Sequence, residues 1–121
     1  MYGIPRDIDW GFILGKELEQ IIIGKYDVQL CFFGNVVISF YGKFLHSKPN
    51  NTIITNTDEN DLAYHSISLI SLLGSSVIEA KSDCSTELYI KYSNSEFIII
   101  YDDSEYYESI SVTYPGFNLH I

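Results

Sequence analysis

Apolar positions along this chain fall mostly on alternate residues, the spacing of strands with one buried face. "YDVQLCFF" sets Val28, Leu30 and Phe32 on one side and Gln29 and Cys31 on the other. Before it, "LGKELEQIIIG" reads as a strand ending at Gly24. After it, Gly34-Asn35 supplies hairpin-turn chemistry, and "VVISFYGKFL" runs back as a strand in which Gly42 marks a bulge or a close backbone approach. From Ser47 to Asp61 the chain is polar and carries Pro49, which predicts a long loop with one short strand at Thr52 to Thr55. The period then changes. In "DLAYHSISLISLLG" Leu62, Ile67, Leu69, Ile70 and Leu73 crowd one side at helical spacing, with Asp61 placed to cap a helix over 61–73 and Gly74 to stop it.

A second run of strands follows in "SVIEAKS", "TELYIKYS" and "EFIIIYD", with Ser93-Asn94 as the tight turn between the last two. "ESISVTY" is a further strand, closed by Pro115 and Gly116. In "FIIIY" the alternation leaves its phase open: Ile99 is taken as the core residue, with Ile98 and Ile100 as the competing face. The two halves echo each other at an offset of about sixty residues, Val28, Leu30 and Phe32 matching Leu88, Ile90 and Tyr92. Two meanders with one oily face each bury those faces against one another. The expected fold is therefore mainly β: an antiparallel β-sandwich or open barrel of about eight strands plus one helix, residues 1–121 forming a single domain.

Charge narrows the range of partners. Seven basic residues stand against sixteen acidic ones, for a net charge of −9, and Arg6 is the only arginine. Phosphate backbones are held through Lys and Arg, so nucleic acid is not an expected partner, and an anionic membrane surface is disfavoured for the same reason. The apolar runs fall short of the roughly 20 residues that a membrane span needs. "MYGIPRDIDW" shows neither a charged nor an apolar leader region, and Cys31 and Cys84 form no motif, so a cytoplasmic location with reduced thiols is expected. Ten tyrosines are present; a buried one needs a partner for its hydroxyl, whereas an exposed one offers rigid contact area.

Catalytic signatures are missing from the pattern. His46, His65 and His120 occupy unrelated segments and are expected to be isolated surface or half-buried residues. "NTDEND" at 56–61 lacks the glycine of a calcium loop and has Ile67 where a bidentate glutamate is required. No phosphate-cradling glycine loop occurs. Neither a cofactor, a metal nor enzymatic activity is expected.

What remains is "IYDDSEYYES", which sets Asp102, Asp103, Glu105 and Glu108 among Tyr101, Tyr106 and Tyr107. A strand end with a solvated connection explains it in part. Yet carboxylates packed this tightly repel one another, and the arrangement becomes favourable when a cationic surface arrives. Asp58, Glu59 and Asp61 form a second acidic cluster, so two loops can present one negative face, with tyrosines as anchors.

The pairing of "IDW…LGKELEQIIIGKYDVQLCF" with "IYDDSEYYES" resembles a family of small acidic bacterial proteins, over most of the chain outside residues 47–61. Proteins of that kind resemble in turn the immunity proteins of bacterial toxin systems, including contact-dependent growth inhibition. The resemblance implies a cytosolic protein that neutralises a cognate toxin nuclease, a ribonuclease ahead of a DNase, as a monomer in a 1:1 complex. The alternatives are a small cation- or sugar-binding sandwich and a housekeeping interaction subunit.

Overall fold

The computed structural model describes residues 9–50, 52–56, 61–84, 86–102, 110–115 and 117–120, without the side chains at 83, 84 and 117–120. The strands are β1 (Leu18–Ile23), β2 (Val28–Phe32), β3 (Val36–Phe40), β4 (Phe44–Ser47), β5 (Ile53–Asn56), β6 (Val77–Cys84), β7 (Glu87–Tyr92), β8 (Phe97–Tyr101), β9 (Ile110–Tyr114) and β10 (Phe117–His120). Between β5 and β6 lie a short helix α1 (Leu62–Ser66) and a 3-10 helix at Ile67–Leu72. Two five-stranded sheets result, ordered β1-β2-β3-β9-β10 and β5-β4-β8-β7-β6. Every strand pair is antiparallel. The chain is mainly β, as the repeated meanders predict.

Alternation does the sorting. Val28, Leu30, Phe32, Val36, Ile38 and Phe40 from the first sheet meet Phe44, Leu88, Ile90, Tyr92, Ile98 and Ile100 from the second, all buried. Each such side chain contributes roughly 1.5–3 kcal/mol by leaving water. A short 3-10 turn at Trp10–Phe12 ties the two layers together. The Trp10 indole donates to Ser82 Oγ of β6 at 2.9 Å, while the Phe12 ring stacks on Tyr114 of β9 at 4.1 Å.

The sixty-residue echo extends to details. Phe32 and its counterpart Tyr92 stack across the core at 6.5 Å, and Asn35 (φ 63°) and Ser95 (φ 73°) both hold left-handed backbone in their hairpins. Each half gives three strands to one sheet and two to the other: β3 pairs with β9, and β8 pairs with β4.

Four expectations need correction. First, the segment "VVISFYGKFL" is two strands, because the chain leaves the first sheet after Phe40 and joins the second at Phe44. Gly42 lies in this crossing with open space where a side chain would stand, so it marks neither a bulge nor a close approach. Second, Ile98 and Ile100 are buried and Ile99 points outward, half-buried. Third, the loop between β7 and β8 is centred later than Ser93-Asn94: the Tyr92 amide donates to the Glu96 carbonyl, leaving three residues between, with Ser95 supplying the left-handed position. Fourth, Tyr92 is buried although its hydroxyl meets no hydrogen-bond partner among the described residues. Burial pushes its pKa far up.

Candidate functional site

Of the acidic–tyrosine stretch, Tyr101 and Asp102 lie within the described residues, while Asp103, Glu105, Tyr106, Tyr107 and Glu108 lie outside them, as do Asp58 and Glu59. Tyr101 ends β8 half-exposed, opposite Glu87. Asp102 is only 1% exposed, and its amide donates to the Thr86 carbonyl at 2.8 Å. Asp102 thus continues the inward alternation of Ile98 and Ile100 and does not offer its carboxylate at the surface, contrary to the expectation for this residue. Asp61 is exposed at the start of α1, though its side chain makes no capping bond.

The sheet register relates the two acidic segments. Asn56, the last residue of β5, sits opposite Phe44, and Phe44 sits opposite Ile100 of β8. Strands β5 and β8 therefore leave the second sheet at the same end, two strand spacings or about 10 Å apart. One leads into 57–61 and the other into 102–108.

The helical segment beside this end departs from the expected pattern. "ISLISL" at 67–72 repeats every three residues, the period of a 3-10 helix, in which positions i and i+3 eclipse. Three rows follow. Ser66, Leu69 and Leu72 face the core. His65, Ser68 and Ser71 form a polar row. Tyr64, Ile67, Ile70 and Leu73 are 75, 56, 54 and 42% exposed. The helical spacing expected over 61–73 places Ile67, Ile70 and Leu73 with Leu62 and Leu69; the structure buries only Leu62 and Leu69 of that set. Ser68 Oγ donates to the His65 carbonyl and Ser71 Oγ to the Ser68 carbonyl, each at 3.1 Å. Such local back-bonds compete with α-helical pairing.

The polar row meets a buried charge cluster. His46, fully buried on β4, places Nε2 at 2.5 Å from Glu96 Oε1 and Nδ1 at 3.1 Å from Ser68 Oγ. Glu96 also accepts from Asn94 Nδ2 and from Ser71 Oγ, each at 2.7 Å, the single Ser71 proton being shared between Glu96 and the more distant Ser68 carbonyl. Next to it, His65 Nδ1 donates to Asn56 Oδ1 at 2.9 Å, and Asn56 Nδ2 donates to the Gly42 carbonyl at 3.0 Å. Desolvation by burial holds the His46 pKa below its ordinary 6.5, with the Glu96 carboxylate pulling the other way. A neutral imidazole donates from Nε2 to Glu96 and accepts at Nδ1 from the Ser68 hydroxyl. A protonated one donates from both nitrogens and leaves that hydroxyl to the His65 carbonyl.

Ser68, His46 and Glu96 are the residue types of a nucleophile, a base and an acid, and sequence spacing did not bring them together. Their geometry is that of a clamp. The imidazole has no exposure, and the Ser68 hydroxyl is shared with its own helix backbone. The cluster joins β4, the β7–β8 hairpin and the 3-10 helix. Neither His46 nor His65 is isolated. The tandem "ISLISL" was the one signal in the sequence that pointed to a polar row. No helix among the described residues is long and apolar enough to cross a membrane. The chain matches no family model, no curated protein and no solved structure.

Proposed function

We propose that this chain is an immunity protein, a cytosolic inhibitor that binds a bacterial toxin nuclease, a ribonuclease ahead of a DNase, and lays carboxylates over its basic groove. The observation that carries the reading is the common exit of β5 and β8 from one end of the second sheet, so that the two acidic segments follow in sequence from strand ends that lie two strand spacings apart. The net charge of −9 and the exposure of Asp61 support it. Asp102 drops out of the docking set because it is buried; Asp58, Glu59, Asp61, Asp103, Glu105 and Glu108 remain, with Tyr101, Tyr106 and Tyr107 beside them. A basic groove evolved for phosphates attracts such a face, and opposite charge raises association toward about 10⁸–10⁹ M⁻¹s⁻¹ at low salt. Inhibition of this kind needs no catalysis and no cofactor.

The test is stopped-flow association with the inactivated nuclease domain of the toxin encoded beside this chain, at two salt concentrations. Asp61→Lys with Asp103→Lys should slow association at least about tenfold at low salt, the gap narrowing as salt screens the charges. A neighbouring gene that encodes no toxin would end the proposal. So would a charge-reversed protein that associates as fast as the wild type.

A further inference from the structure

Tyr64, Ile67, Ile70 and Leu73 form one apolar row roughly 16 Å long, at rises of 1.5 to 2.0 Å per residue. The other two rows of the segment are engaged, one with the core and one through hydrogen bonds with the His46–Glu96 cluster, whereas this row presents large apolar side chains to solvent. Exposed apolar residues scattered singly need no explanation, whereas these four large ones stand in register along one face of the segment. The same segment is pinned by its bonds to the His46–Glu96 cluster and by buried Leu69 and Leu72, which lowers the entropic cost of using the row for binding.

Two observations select the occupant. A second copy is disfavoured, because each chain carries a charge of −9 and a row one helix wide falls below the roughly 800 Å² per partner of a stable dimer. A cationic protein is favoured, because exposed Asp61 stands one turn before Tyr64, and Asn56 at the shared strand end is bonded to His65, the neighbour of Tyr64, so that end adjoins the start of the row. We infer that the row Tyr64, Ile67, Ile70 and Leu73 is the apolar anchor of the docking surface and enters a hydrophobic groove beside the basic site of a cationic partner. The inference rests on the immunity reading above for the identity of that partner. Carboxylates then set the rate of encounter and the row sets the lifetime of the complex.

The experiment compares wild type with Ile67→Ser/Ile70→Ser against the same inactivated nuclease domain. Both substitutions fall on exposed positions, so the melting temperature should stay within about 3 °C of wild type. Dissociation should accelerate about thirtyfold or more, as for loss of an anchor, while the association rate and its salt dependence stay unchanged. Equal dissociation rates would overturn the anchor and leave the acidic face standing. A wild type that does not bind the domain at all would overturn both. Sedimentation velocity of the protein alone supplies the last arm: a wild-type dimer that the double substitution dissociates would show that a second copy covers the row, against the inference.

Discussion

Removing the Glu96 carboxylate should destabilise the fold through His46. Glu96 is 7% exposed and takes a bond from each of His46, Ser71 and Asn94. In Glu96→Ala the Ser71 hydroxyl and the Asn94 amide lie near solvent and rehydrate. His46 cannot, because it is fully buried and its Nε2 faces the vacated space. Leaving one buried donor unpaired costs about 1–3 kcal/mol, and losing an ionised partner pushes the figure to the upper end. At about 3–5 °C per kcal/mol for a chain of this length, the melting temperature should fall by roughly 10 °C. Glu96→Gln keeps an acceptor and should cost less than half as much.

The sign with pH follows from the lowered His46 pKa. Below pH 6.5 the unfolded chain binds a proton that the folded chain still refuses, so stability falls as the solution is acidified from there through the folded pKa. Without Glu96 nothing pulls that pKa back up, and the acid-side loss should deepen. Thermal unfolding at pH 7.5 and 5.5, followed by circular dichroism, reads both effects. A fall under about 3 °C for Glu96→Ala at pH 7.5 would refute the clamp, as would an unchanged gap between the two pH values.

Ile98→Ala or Ile100→Ala should each cost about 2–5 kcal/mol in urea unfolding, whereas Ile99→Ala, on the outer face, should cost under about 1 kcal/mol. Tyr92→Phe should raise stability by about 1 kcal/mol by removing a buried hydroxyl that meets no partner among the described residues; a loss of similar size would mean that the hydroxyl has a partner in the native state.

Period-two alternation made the meanders legible, because a strand buried on one face leaves no other way to place Val28, Leu30 and Phe32. It left the phase of "FIIIY" undetermined, since five consecutive apolar residues satisfy either face. The crossing at Gly42 was hidden for a related reason. Both halves of "VVISFYGKFL" alternate in step, and alternation does not say which sheet a strand joins. The helical segment is ambiguous in sequence because Leu62, Ile67, Leu69, Ile70 and Leu73 fit a period of 3.6 tolerably, while "ISLISL" fits three. The His46–Glu96 contact joins residues fifty positions apart, and no local pattern encodes such a meeting. Asp102 reads as a surface acid by type and is buried by the register of the strand before it.

The exchange of strands between halves has a consequence for how the chain comes to be folded. Because β3 finds its neighbour in β9 and β8 finds its neighbour in β4, neither half holds a finished layer of its own. The second half must be present before the first can close. Contacts so distant along the chain place folding with the slow, high-contact-order β-proteins, and helix formation early in the process does little to hasten it. A half produced alone would present β3 or β8 as a bare edge, a template for whatever strand arrives first. Co-expressed separately, the two halves should assemble with each other. At high concentration, two intact chains have the same opening to trade halves.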